Sequence, residues 1–410
     1  MIDSLPAHFD RHAFPLLLSS SSLTSVEISG SVLEGPWFFR IGLPLLSSRS
    51  STRLKSLSIH HDTVVVEPSF WSILPSFRQL EELDVSLPQS MNMPRHFLPQ
   101  IGRFMDQLTD LSLDVHLPNH IMPPGHSTNP IIEDSAKPKR GGSELFPSLE
   151  RLSIVSRMET NLCQCFSIPA LIPHVTSLTL CYTSETALDS LPRIAHDLSR
   201  YPSLRTLTLK EDPTDDLDLT LYLDQIVPAI QNCTHLEQLH LNSISYIRGR
   251  GDESGRECLD AVLSATLPSP GTENRALLRR LHMAKTWQDH IGLDELGNLL
   301  LTKAPHLQEL QIAFNSQHIP RCELVDAVDS TSKLTRLSIL DIPPTSSEFH
   351  VPEHEYVARF LDSHFPHLRN VVLCNPMGED LKTHWDHINH LRGLYQQIRV
   401  LSLPPGSRYD

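Results

Sequence analysis

The sequence predicts an α/β solenoid, a horseshoe of irregular repeats with a parallel concave sheet and convex helices. Three observations predict it. A nine-residue phrase recurs along the chain, its copies fall at near-regular intervals, and the segments between copies have helical periodicity. The phrase is cleanest at Tyr201–Leu209, YPSLRTLTL, where an apolar residue and a proline lead into Leu204, Leu207 and Leu209. It returns as FPSLERLSI from Phe146, APHLQELQI from Ala304 and FPHLRNVVL from Phe365, and more loosely from Ile172 and Cys233. Strand side chains alternate with period two, so Leu-x-Leu puts two apolar side chains on one face. A lone strand cannot bury that face, whereas neighbouring copies bury it for one another.

Aligned on their first apolar position, thirteen copies begin at Leu23, Leu54, Leu80, Leu108, Leu149, Val175, Leu204, Leu236, Leu278, Leu307, Leu334, Leu368 and Ile398. Ten of the twelve intervals lie between 26 and 34 residues, room for a strand, two turns and a helix. The helices are legible between the strands. Phe97, Ile101, Phe104 and Met105 share one helical face, as do Leu191, Ile194, Ala195 and Leu198. Leu259, Val262 and Leu263 repeat the pattern, followed by Leu293, Leu296 and Leu300, then Tyr356, Val357, Phe360 and Leu361. Strands pack closer than helices, about 4.8 Å against about 10 Å, so the strands line the concave side. The uniform order of elements disfavours an ordinary sheet with helices on both faces. The whole chain, 1–410, therefore reads as a single domain of about 13 repeats.

The two long intervals, 41 and 42 residues, mark insertions at 116–145 and 242–276. The first is rich in Pro, Gly, Ser and charge, with few positions for a core. Its basic run Lys137–Arg140 fits a solvated loop better than a nuclear-import signal. The second carries RGRGDESGRE and a short helix, and reads as a surface excursion.

Charge and composition exclude several classes. The 34 basic and 48 acidic residues give a net charge of −14, which argues against a nucleic-acid partner. No run of eighteen apolar residues exists, so no membrane span is expected. The opening MIDSLPAHFDRHAF lacks the zones of a secretion signal, and seven scattered cysteines suit a reducing compartment, cytoplasm or nucleus. No phosphate loop, HExxH or Gly-x-Ser-x-Gly occurs, so no enzyme, catalytic residue or cofactor is expected. His384, His387 and His390 drift around a helix, and Cys163-x-Cys165 has no second pair, so no metal is expected at either.

The residues between the last two apolar positions point away from the core. They are Ser or Thr at Ser112, Ser153, Thr179 and Thr208, then change to His240, His282 and Gln311. Flanking positions add Gln238, Arg280 and Glu309. These six residues form the candidate protein-binding patch, against the plainer reading of an ordinary polar strand face. Because histidine titrates near neutral pH, binding there is expected to respond between about pH 6 and 8.

The recurring apolar/Pro/x/Leu-x-x-Leu-x-Leu phrases resemble leucine-rich repeats, in the long degenerate form of F-box proteins from mushroom-forming (basidiomycete-type) and related fungi. The resemblance covers about Leu5 to Leu403. The usual Asn or Cys three residues after the third Leu is matched only by Asn315, so an irregular solenoid with turns satisfied repeat by repeat is expected. The family's F-box has no room before Leu23, and Ser4-Leu5-Pro6-Ala7-His8 is only loosely similar to its opening. Either the chain begins inside a longer protein or the module has been lost; a missing polar cap favours the former. The resemblance implies the substrate-reading part of a ubiquitin-ligase adaptor, with a protein target on the concave face and a Skp-type adaptor only if an F-box lies upstream. Two other readings are a stand-alone scaffold or inhibitor and a GTPase-activating repeat protein. The chain ends LSLPPGSRYD rather than in the long acidic tail usual for the latter.

Overall fold

The structure, a computed structural model, describes residues 20, 22–34, 37–90, 93–94, 97–115, 146–156, 174–182, 198, 201, 203–211, 218–249, 254–267, 277–286, 291–314, 330–341, 351–374 and 379–402. The chain divides into two compact units, Met1–Leu204 with Asp212–Asp215, and Arg205–Glu211 with Asp216–Asp410. Among the described residues, twelve parallel strands carry the repeated phrase, six in each unit. In both units the architecture is the α/β leucine-rich-repeat type.

The first unit holds β1 (Ser25–Ser29), β2 (Ser56–His60), β3 (Glu82–Leu87), β4 (Asp110–Val115), β5 (Arg151–Ser156) and β6 (Ser177–Tyr182). Each pairs in parallel with the next, so Val26, Leu57, Leu83, Leu111, Leu152 and Leu178 stand in one row. Every residue of that row is buried, as are Ile28, Ile59, Val85, Leu113, Ile154 and Leu180. Fully burying one such side chain contributes about 1.5–3 kcal/mol. The residues between them, such as Ser58, Asp84 and Ser112, stay partly exposed.

Leu-x-x-Leu has a second use. Its two middle residues donate consecutive backbone N–H groups to one carbonyl of the preceding repeat. Glu81 and Glu82 donate to Lys55 O, Thr109 and Asp110 to Glu81 O, and Glu150 and Arg151 to Thr109 O. The phrase thus fixes both the apolar row and the register that stacks it.

Behind this sheet a π-helical turn, Phe38–Gly42, runs into α1 (Leu43–Ser50), followed by α2 (Pro68–Ile73) and α3 (Phe97–Phe104). Phe39, Phe70, Trp71 and Phe97 join them through edge-on rings with centroids 4.8–5.5 Å apart. Of the face expected in α3, Phe97, Ile101 and Met105 are buried but Phe104 is 42% exposed. It ends the helix, where the chain turns to bring Met105 inward.

The second unit holds β7 (Thr206–Glu211), β8 (Thr220–Tyr222), α4 (Leu223–Asn232), β9 (Gln238–Ser243), β10 (Tyr246–Arg248), α5 (Gly255–Thr266), β11 (Arg280–His282), β12 (Lys285–Thr286), α6 (Leu293–Lys303), β13 (Glu309–Phe314), β14 (Arg336–Asp341), α7 (Val351–His364), β15 (Asn370–Leu373) and α8 (Glu379–Ser402). The main ladder runs β7-β9-β11-β13-β14-β15, all parallel, with Leu207, Leu239, Leu281, Leu310, Leu337 and Val371 in register. A three-stranded parallel sheet, β8-β10-β12, forms where the chain leaves the main strands. Glu211 ties the two together: its Oε1 accepts from Leu219 N at 2.8 Å and its Oε2 from Ser245 N at 2.9 Å. This one side chain satisfies turn backbone where the standard repeat uses an asparagine ladder.

The span read as a second insertion, 242–276, contains β10 and α5. The helix is a core element, with Cys258, Leu259, Val262 and Leu263 buried. Its start is set by a capping box, Ser254 N donating to Glu257 Oε2 at 2.8 Å while Ser254 Oγ accepts from Glu257 N. The faces expected in α6 and α7 are also inward, at Leu293, Leu296, Leu300, Val357, Phe360 and Leu361. The first insertion, 116–145, and the helix expected over 191–198, apart from Leu198, lie outside the described residues.

The thirteenth phrase departs from expectation: Ile398 lies in α8, not in a strand. No proline interrupts 379–398, Gly393 is accommodated within the helix, and Trp385, Ile388 and Arg392 are buried at helical spacing. This helix lies against β15. Asn389 Nδ2 donates to Val371 O at 2.9 Å, Gln396 Nε2 to Leu368 O at 2.8 Å, and Arg392 Nη2 to the same Leu368 carbonyl. At Val371 a helix side chain thus supplies a donor that a further strand would have supplied.

Candidate functional site

Strand register brings all six predicted site residues onto one polar surface of the second unit. Gln238, Arg280 and Glu309 align across β9, β11 and β13; two residues further on, so do His240, His282 and Gln311. A register shift between β7 and β9 falls between Thr208 and Lys210, immediately beside His240. Such irregularities re-aim side chains near sites. Here Asn242 extends its Nδ2 to 3.5 Å from Gln311 Oε1.

Glu309 is the hub. Its carboxylate lies 3.6 Å from Arg280 Nε, 3.5 Å from Arg336 Nη1 and 3.4 Å from His282 Nε2. Only 19% of the Glu309 side chain is exposed, so these contacts are screened less than those of an open surface pair. On the other side of His282, its Nδ1 lies 2.9 Å from His240 Nδ1, with the rings edge-on and their centroids 4.4 Å apart. Proton placement follows from these neighbours. A carboxylate facing Nε2 favours the proton there, leaving the His282 Nδ1 lone pair to accept from His240 Nδ1–H. His240 Nε2 then carries the lone pair, while Glu309 acts on His282 Nε2 through its charge and not through a hydrogen bond.

Both rings are held neutral. Burial, followed by the neighbouring His282, pulls His240 from its usual value of 6.5 to about 4, with Glu309 opposing. Burial also lowers His282, again against the pull of Glu309. Gln238 stands opposite Arg280 in register, at the margin of this network.

Sequence reasoning missed Arg336, although it occupies the first position of β14 as Arg280 does of β11. Extending the flanking row by one strand finds it. It also missed a counterpart in the first unit, where His60 Nε2 lies 3.1 Å from Asp84 Oδ2 and Ser86 Oγ donates to Asp114 Oδ2 at 2.9 Å. The hydrogen bond to Asp84 raises the His60 pKa, burial opposing, with the charges of Asp84, Glu27 and Asp114 adding to the rise.

The histidines of α8 are not simply solvated. His384 Nδ1 lies 2.8 Å from Nε2 of the buried His354 on α7, and the His387 ring centroid is 5.3 Å from that of His354. His390 is exposed. Among the described residues, no group of three or more His, Cys, Asp or Glu side chains is placed to hold a metal ion. Cys163 and Cys165 lie outside them. No helix of the described residues is long and apolar enough to cross a membrane.

No family model matches the sequence, and no curated protein matches it. Among solved structures the chain is similar to the crystal structure of the leucine-rich repeat-containing protein LegL7 from Legionella pneumophila. The identity is 14%, 90% of each chain is covered, and the TM-score is 0.35. With a superposition that loose, the fold assignment rests on the strand ladders themselves.

Proposed function

We propose that this chain is a protein-binding module with no catalytic residue of its own, whose partner lies on the strand face around His240, His282, Gln311, Arg280 and Glu309. The observation that carries the reading is the Glu309 hub. It holds two arginines and, through His282, an imidazole pair in set positions on an otherwise open strand face. Pre-set polar side chains lose little freedom on binding, which favours affinity. The setting suggested by the fungal F-box resemblance is substrate selection for ubiquitination, inside the cytoplasm or nucleus. In that setting the chain presents a target and other subunits perform the chemistry.

The test is capture of partners by the purified chain from its source cells, with and without the triple change His240→Ala, His282→Ala and Gln311→Ala. The triple variant is expected to lose the partner while keeping its fold by circular dichroism; a partner retained undiminished would overturn the reading. Co-purification of a Skp-type adaptor with a longer form of the protein supports the ubiquitination setting. Its absence beside a stoichiometric partner supports a stand-alone scaffold or inhibitor.

A further inference from the structure

A solvent-open hollow of about 460 Å³ lies at the start of β13–β15, next to the proposed strand-face site, and is lined by Gln308, Lys333, Thr335, His367 and Arg369, all but Thr335 exposed. Three of these directly precede a strand: Gln308 before β13, Thr335 before β14 and Arg369 before β15. They belong to the row whose carbonyls each accept from the next repeat, as Thr335 and Arg336 donate to Gln308 O and Arg369 to Thr335 O. The backbone of these three lining residues is therefore fixed by the repeat itself.

The charge along this row changes at Arg279. Before that point it is compensated, with Glu237 3.5 Å from Arg205 and 4.0 Å from Arg279. Beyond it the row reads Gln308, Thr335 and Arg369, with Lys333 and His367 alongside and no carboxylate among the lining residues. Among the described residues, neither Lys333 nor Arg369 is in an ion pair, in a chain whose net charge is −14. Two cations, an imidazole, a hydroxyl and an amide face one cavity without an internal anion.

We propose that this cavity binds a phosphate monoester, carried as a phosphorylated side chain by the protein partner. The partner class rests on the function proposed above; the anion site stands on its own geometry. A carboxylate offers one charge and two oxygens, which a single arginine fork matches. A phosphate monoester carries about −1.5 to −2 charges and three acceptor oxygens, suited to a lysine, an arginine and neutral donors together. The cavity also exceeds the size of a bare anion, leaving room for the side chain and adjoining backbone that would deliver it. Because Gln308 and Thr335 adjoin Glu309 and Arg336, a chain lying on the strand face reaches the cavity directly.

The experiment is a calorimetric titration of the purified full chain with N-acetyl-phosphoserine amide at low ionic strength, with inorganic phosphate in parallel. Saturable binding of the ester is expected, weakened by salt and by about tenfold in Lys333→Gln/Arg369→Gln. Both side chains are exposed, so the variant should melt with the wild type. If it does not fold, Lys333→Gln alone should give a smaller loss. No saturable binding of the ester, or unchanged affinity in a folded variant, would overturn the proposal. Inorganic phosphate bound with the ester rejected would overturn the partner-borne source. The titration needs no partner, so ester binding that fails while partner capture persists removes the pocket alone. Ester binding that survives while the strand-face variant still captures its partner removes only the broader reading.

Discussion

The His240–His282 pair shows how one proton position depends on residues from three neighbouring strands. Its folded-state preference for the neutral imidazole has a signed consequence. His240 sits at about 4 when folded against 6.5 ordinarily, so its neutral form is stabilised only in the native state. Its contribution is complete above about pH 6.5 and is lost as the pH falls from there towards 4, where the unfolded chain binds a proton that the native state refuses. Wild type is therefore expected to lose more thermal stability between pH 7 and 5 than His240→Gln, measured by melting in matched buffers. Equal losses would mean that the pair is not held neutral. His60 in the first unit has the opposite sign: its raised pKa adds stability in acid that is lost as the pH rises through the folded value. Single-site variants at the two positions should therefore change the acid response in opposite directions.

At the scale of elements, the approach of α6 to α7 depends on Gly297. A Cβ there would lie 2.7 Å from Phe360 Cζ, with the His364 ring next at 3.3 Å. His364 itself stacks on Phe360 at 3.9 Å between centroids, so the phenyl ring has little room to yield. Alanine ordinarily favours a helix over glycine by about 1 kcal/mol. The clash is expected to outweigh that gain, leaving Gly297→Ala less stable by about 1–3 kcal/mol in urea denaturation. A stabilised variant would show that the helices can separate. The strands and most helix faces were legible in the sequence because they depend on local periodicity, as at Leu204, Leu207 and Leu209 or at Leu259, Val262 and Leu263. Gly297 was not, since the need for a missing side chain arises from a helix more than fifty residues away. Ile398 shows the converse limit. Its local phrase fits a strand, but the uninterrupted run before it and the burial of Trp385 and Ile388 make a helix instead.

For the whole molecule, the candidate site divides in the same way. The alternation of Leu-x-Leu places His240, His282 and Gln311 on one side, and the repeat spacing places them in adjacent strands. Both facts follow from sequence alone. What sequence withheld is the convergence on Glu309, which depends on side-chain reach across three strands, and the uncompensated cations near Arg369, which only the cavity draws together. The net charge of −14 also concealed that local basic surface, because a sum carries no positions. One further consequence comes from α8. The Val371 carbonyl that it engages lies on the outer side of the last strand. Left bare, such an edge is a template on which another chain can add a strand. A protein shortened by residues 379–402 is therefore expected to self-associate in a concentration-dependent way, read by light scattering, with a rise in intermolecular β signal by infrared spectroscopy. A shortened chain that stays monomeric would show that the edge is guarded elsewhere. On this account α8 is a stop to polymerisation, closing a row of strands that its own repetition would otherwise allow to continue from molecule to molecule.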